Sequence, residues 1–270
     1  MTNISIQSDP PLSAEQTLPT MYDLPSENQE EAGLPDEFHY LQPELLRQTF
    51  QPHNWYPNLL FCGSDMNLYY DVKHPSWYKR PDWFGVVGVP RLYEEQDMRL
   101  SYVVWQEGVN PLVVVELLSP GTEDEDLGQK VRTLGKPATK WEVYEQILRV
   151  PYYVTFSRYT NKMQGFHLVG DRYQTAELTN GRLLIPSIEL SLGLWQGSYS
   201  NIERLWLRWM SMEGDLIPTP EEKAVAAQQQ AINAEERATN AEERATNAEV
   251  QADRLAAKLR ELGIDPNELS

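Results

Sequence analysis

Two acidic residues sit where a folded chain has little room for a charge. Glu116 lies inside PLVVVELLSP (111–120), a β-branched run bounded by proline at each end, and such a run reads as a central strand covered on both faces. A carboxylate there is costly unless it is paired, hydrogen-bonded or bound to a cation. Asp82 follows Pro81 at the start of PDWFGVVGV, a second β-prone segment. Two carboxylates projecting from adjacent strands can hold Mg²⁺ or Mn²⁺ through oxygen ligands, leaving other positions to water and a phosphate oxygen. A nearby lysine then positions or activates the attacking water, or stabilises charge as a phosphodiester breaks. On residue types alone a plainer reading stays open, in which Glu116 ends a strand and bonds to arginine or to backbone amides.

The elements that must position these groups can be read from pattern. PDEFHYLQPELLRQTF (35–50) has the apolar spacing of a short helix, with Glu44 as a possible extra acidic ligand. NLLFCGSDMNLYYD, PDWFGVVGV and SYVVWQEG read as strands before PLVVVELLSP, and Asp65 and Asp71 in the first of these resemble turn residues that could also lie near a metal. After a polar connection, TKWEVYEQIL is an amphipathic helix with Trp141, Tyr144, Ile147 and Leu148 on one stripe. VPYYVTFSR is a strand, KMQGFHLVGDRYQTAEL a hairpin, GRLLIPSIELSLGLWQGSY a strand and turn, and NIERLWLRWM a short closing helix. The order predicts an α+β fold, a mixed sheet flanked by helices, over residues 35–212.

Composition limits the function classes. The chain has 270 residues, 41% of them apolar, and a net charge of −17, which argues against a polyanionic partner. The charge is uneven: residues 1–72 hold one basic side chain, Arg47, whereas 73–162 hold about half of all Lys and Arg. Residues 1–34, rich in Pro, Ser, Glu and Gln, read as a poorly ordered acidic leader with neither the basic start nor the apolar stretch of a signal peptide. The single cysteine, Cys62, allows no internal disulfide and no cysteine-based zinc site. No apolar run is long enough to span a bilayer, and the expectation is a reducing cytoplasm. The histidines at 39, 53, 74 and 167 have no metal-ligand spacing among them, and Ser119 reads as a cap for the turn after the strand.

The C-terminal fifth differs in kind. NAEERAT occurs at 233–239 and 240–246, and NAEVQAD at 247–253 is a degenerate third copy. Seven residues make one heptad. Ala234, Ala241, Ala248, Leu255 and Leu262 form one seam position, with Ala238, Ala245, Ala252 and Leu259 as its partner. A coiled-coil helix is expected over 219–262, ended by Gly263 and Pro266, as a handle for a homodimer.

The ordered set RPDWFGVVGVPR, SYVVWQEG, PLVVVELLSPGTEDEDLG, KWEVYEQIL and VPYYVTFSRYTN resembles the Uma-type restriction endonucleases, a family abundant in cyanobacteria within the PD-(D/E)XK nuclease superfamily. The trailing heptads and the ending LRELGIDPNEL resemble the tails of many members. The resemblance implies a restriction-endonuclease-like fold and Mg²⁺- or Mn²⁺-dependent cleavage of DNA. It makes Asp82 and Glu116 metal ligands, helped by the Val115 or Leu117 carbonyl. The chain departs from the superfamily pattern at Leu118, where a lysine often stands. The family draws its lysine from the next helix, and Lys140 and Tyr144 match that Lys-x-x-x-Tyr spacing on one helical face. Lys130, four residues after Asp126, is the alternative. Lys140 is preferred, because Tyr144 and the strand VPYYVTF follow it in the expected order.

Overall fold

The computed structural model describes residues 36–263, except 120, 122 and 134, so the leader expected over 1–34 lies outside the described residues. Asp36 opens the description as the N-cap of helix α1 (Glu37–Thr49), accepting a hydrogen bond from the His39 amide at 3.0 Å. Phe38, Leu45 and Leu46 give α1 a buried stripe, as the sequence predicts. Strands β1 (Leu60–Gly63), β2 (Leu68–Tyr69), β3 (Tyr78–Lys79), β4 (Trp83–Val87) and β5 (Tyr102–Val103) follow, then a helical turn α2 (Val104–Glu107). Next come β6 (Val113–Leu117) and the short helices α3 (Glu123–Asp126) and α4 (Lys140–Glu142). The chain continues through β7 (Tyr152–Ser157), β8 (Lys162–Val169), β9 (Arg172–Thr175), β10 (Arg182–Ile185), β11 (Leu190–Tyr199) and β12 (Ile202–Ser211) to the long helix α5 (Pro220–Glu261).

Six strands form the main sheet in the order β1-β4-β6-β7-β8-β9, beside two three-stranded sheets, β10-β11-β12 and β3-β2-β5. Only β6 and β7 run parallel in the main sheet, so their C-terminal ends open on the same side. This is the mixed α+β architecture expected of a restriction-endonuclease-like fold. Alternation along β6 sorts the side chains: Val113, Val115 and Leu117 face one core with α1 and the β10–β12 sheet. Val114 faces a second core with Phe84, Val86, Val143, Tyr144 and Tyr153. By the same two-residue period Asp82 and Glu116 point to the second face.

Two segments depart from expectation. SYVVWQEG is a strand only at Tyr102–Val103, after which Val104–Glu107 coils into a turn closed by Gly108 at φ 70°. A buried ion pair drives this: Glu107 turns back onto Arg99 through bonds of 2.7 and 2.9 Å. NIERLWLRWM is strand, not helix. Its apolar positions fit either period, and ten residue pairs with β11 decide the outcome. Ser200 and Asn201, at φ 51° and 61°, supply the positive-φ pair that a tight hairpin needs.

The outer edge of β12 is paired by residues 215–217 near its end and by one side chain at Leu207. Buried Gln42 of α1 donates to the Leu207 carbonyl at 2.7 Å and accepts from the Leu207 amide at 2.9 Å, as a further strand would.

The chain divides after Ile217 into two compact units. In the second, Thr219 and Glu222 form a capping box and Pro220 occupies the first turn of α5. Gly263, at φ 77°, follows the end of the helix. No helix among the described residues is long and apolar enough to cross a membrane.

Replacing Gln42 with Leu strands the Leu207 amide and carbonyl in the core. Urea titration should show a loss of about 2–4 kcal/mol with no change in slope. A loss below about 0.5 kcal/mol would contradict the role of the clamp.

Candidate active site

The register Trp83↔Val115, carried one residue further, sets Asp82 directly opposite Glu116. Directly opposed residues on one face have Cβ atoms about 4.5–5.5 Å apart. The two are laced together: the Asp82 amide donates to Glu116 Oε2 at 3.4 Å, and the Leu117 amide donates to Asp82 Oδ2 at 2.6 Å. Glu116 is fully buried.

The lysine comes from α4. Thr139 and Glu142 form a capping box that starts the helix at Lys140. From there Lys140 Nζ reaches Glu116 Oε2 at 3.0 Å and Asp126 Oδ1 at 2.8 Å. One turn on, the Tyr144 hydroxyl donates to Glu116 Oε1 at 2.8 Å. The helix then widens into a π-turn over Val143–Ile147, with the Leu148 amide bonded to the Val143 carbonyl at 2.8 Å. Such turns are frequent at functional sites.

Lys130, the alternative lysine, lies elsewhere. It is exposed, and its amine bonds to Glu125 Oε2 at 2.8 Å. Glu125 also takes the Lys79 amine at 3.0 Å and the Lys140 amide at 3.3 Å. Burial opposes its ionisation, yet Lys130 and Lys79 hold its carboxyl at about 2. Leu118, at the position of the superfamily lysine, is buried.

The centre carries more negative than positive charge. Asp82, Glu116 and Asp126 surround the single ammonium of Lys140. Burial and then the Asp82 charge raise the Glu116 carboxyl from the usual 4.5 to about 7, against the pull of Lys140. Burial raises Asp82 as well. Lys140 goes the other way: burial alone would lower it, but Glu116, Asp126 and Asp82 hold it well above 10.5. Burial and Glu116 keep Tyr144 a phenol. Lys140 and Tyr144 are therefore donors at neutral pH, and Glu116 is divided between acid and carboxylate.

That imbalance fits a divalent cation. Full ionisation would set three carboxylates against one ammonium, and the raised Glu116 and Asp82 carboxyls are the mark of that excess. No group of three or more His, Cys, Asp or Glu among the described residues forms a ready-made metal cage. Mg²⁺ does not need one, because it binds through one or two carboxylates and keeps several waters. Asp82, Glu116 and the Leu117 carbonyl at the strand end are a donor set of that kind.

Sequence reasoning set His39 aside, and the fold brings it here. Its Nδ1 lies 2.9 Å from Asp36 Oδ1 and its Nε2 lies 3.4 Å from the Leu117 carbonyl oxygen. The available signal was Asp36 three residues earlier, the spacing of a helix cap that can also grip the ring.

The remaining candidates lie in local structure. Asp65 is a positive-φ turn residue bonded to Arg80 at 2.6 Å. Asp71 accepts from the Lys73 amide and faces the His74 ring, which stacks on Trp77. Glu44 pairs with Arg47 and Gln48 along α1. His53 is exposed and His167 stacks on Tyr152. Ser119 is buried, and its carbonyl accepts from the Glu123 amide at 3.2 Å. Burial pushes the Cys62 thiol up to about 12, so it stays protonated.

No curated protein matches the chain. A family model described as Uma2, putative restriction endonuclease, matches residues 17–203. The matched stretch covers well over half of the sequence and includes Asp82, Glu116, Asp126, Lys140 and Tyr144, and on that match the chain belongs to the Uma2 family.

Proposed function

We propose that this protein is a Mg²⁺- or Mn²⁺-dependent endonuclease that hydrolyses DNA phosphodiester bonds at the Asp82–Glu116–Lys140 centre. The observation that carries the reading is the Lys140 ammonium held between Glu116 and Asp126 in a buried cluster of excess negative charge. The family match supports it.

Asp82 and Glu116, with the Leu117 carbonyl, are the groups that would hold the cation. A divalent cation there supplies the positive charge that polarises a phosphodiester and acidifies water. Tyr144 fixes Glu116 Oε1, which leaves Oε2 to face the amine and the Asp82 amide. Lys140 keeps its proton, so its role is electrostatic: its N–H groups offset charge on the phosphate as the bond breaks. Asp126 positions the amine between turnovers.

Purified protein should nick plasmid DNA with Mg²⁺ or Mn²⁺ and not with EDTA. Glu116→Ala should abolish cleavage while the circular dichroism of the fold persists. Lys140→Met should slow cleavage about 10²–10³-fold, whereas Lys130→Met should leave the rate unchanged. Equal cleavage by Glu116→Ala would refute the site.

The Glu116 proton makes a separate prediction. A carboxyl raised from 4.5 to about 7 adds stability below pH 4.5 and loses it as pH rises through 7. A cation binds the carboxylate, so it must displace that proton. Calorimetry should show Mg²⁺ affinity rising up to about tenfold per pH unit below 7 and levelling above it, with proton release at pH 6 that fades by pH 8. Affinity independent of pH between 5.5 and 8 would contradict this.

The α5 seam is proposed as the contact of a parallel or antiparallel homodimer. Sedimentation should give a dimer for the full chain and a monomer for Leu255→Glu/Leu259→Glu. A wild-type monomer would end that proposal.

A further inference from the structure

Arg158 follows directly after β7, and because β6 and β7 run parallel it lies at the same end of the sheet as Leu117. A short relay connects it to the carboxylate centre. The Arg158 guanidinium meets Asp36 Oδ2 at 2.5 Å, Asp36 Oδ1 meets His39 Nδ1 at 2.9 Å, and His39 Nε2 faces the Leu117 carbonyl at 3.4 Å. A second arginine arrives from β12. The Arg204 guanidinium carbon lies 4.3 Å from the centroid of Phe38, whose ring also takes Arg158 at 5.6 Å. Arg158 packs over Tyr159 at 4.8 Å as well.

The two cations are close enough to repel. Burial first, and then the Arg158 charge, lower the Arg204 guanidinium below its ordinary value, against a weaker pull from Asp36. The chain carries 40 acidic side chains, yet among the described residues Arg204 forms no salt bridge. Its one hydrogen bond is from Nε to the Leu205 carbonyl at 3.4 Å. Stacking on Phe38 holds the planar fork in place, and Arg204 stays partly exposed. Two like charges kept together beside a carboxylate centre are stabilised by an anion placed between them.

We propose that Arg158 and Arg204, braced on Phe38, form a phosphate-backbone contact that seats the DNA strand beside the Asp82–Glu116 centre. This deepens the nuclease reading and rests on it. The surface would take a phosphate at the far end of that three-contact relay from Leu117, so the strand enters from the α1 side and not over the acidic α3 turn. The arginines recognise the backbone and carry no base preference.

The test is duplex binding in the Glu116→Gln background, measured by anisotropy of a fluorescein-labelled DNA duplex between about 50 and 200 mM salt. Arg204→Gln and Arg158→Gln should each weaken binding and each reduce the slope of log K against log salt by about one. Arg204→Lys, which keeps the charge, should retain most of the slope. Arg149→Gln removes an equal charge from the segment before β7, at the opposite end of that strand, and should change neither quantity. Slopes equal to the parent in both glutamine variants would overturn the proposal, as would a parent that binds no duplex. If one glutamine variant fails to fold, the other carries the test: a slope reduced by about one supports the surface, and a slope equal to the parent's overturns it. Binding and cleavage separate the two readings. DNA bound with the predicted slopes but never cut by the wild type would leave the surface standing and sink the nuclease. DNA cut normally by the arginine variants with unchanged slopes would do the reverse.

Discussion

A half-buried lysine ammonium bonded to Glu116 and Asp126, with Asp82 close by, is the interaction on which the rest of this structure depends. A single buried ion pair roughly breaks even against its desolvation, and this cluster does not even balance in charge. It is held by hydrogen bonds to three of its oxygens, Tyr144 on one side of Glu116, Lys140 on the other, and the Leu117 amide on Asp82, and by the Lys140–Asp126 ion pair. The excess negative charge is the part the protein does not satisfy with its own side chains. It appears as a glutamate whose carboxyl titrates near neutrality, at about 7, instead of near its usual value. Such displacement, with a stated charge partner, is common at active sites.

The surrounding fold is arranged to keep that cluster rigid. Neighbouring strands with a fixed antiparallel register set Asp82 against Glu116, and a slip of one residue would turn both to the other face. The capping box at Thr139 fixes where α4 begins and hence where the Lys140 stem leaves the backbone. The π-turn that follows seats Tyr144 against the sheet, where its ring packs on Tyr153 at 5.5 Å. On the opposite face α1 is clamped to β12 by Gln42, and that clamp carries Phe38 and His39 to the end of β6. Both faces of the main sheet thus converge on the Leu117 peptide, one gripping its amide through Asp82 and the other facing its carbonyl through His39.

Much of this was legible in the sequence, for identifiable reasons. Glu116 announced itself because a charge interrupts VVV and LL in a run that allows no exposed face. Lys140 and Tyr144 were legible only through the resemblance to the Uma-type family, whose Lys-x-x-x-Tyr spacing they match, and the fold gives them Glu116 as a shared partner. The residue two after Glu116 told less, since Leu118 is simply core. His39 was hidden because its relation to Leu117 spans 78 residues and runs through tertiary structure alone. The β12 segment was misread as helix because six apolar positions in ten satisfy both periods, and only pairing with β11 separates them. SYVVWQEG was overread as strand because the Arg99–Glu107 pair that bends it links two side chains whose proximity pattern analysis does not register.

The central claim is that Asp82 and Glu116 bind one divalent cation beside the Lys140 amine. Anomalous diffraction from crystals soaked in Mn²⁺ tests it most directly. The account predicts one peak within ligand distance of Asp82, Glu116 and the Leu117 carbonyl, absent from Glu116→Gln crystals soaked in the same way. No peak there, with the Lys140 amine still seated between Glu116 and Asp126, would contradict it.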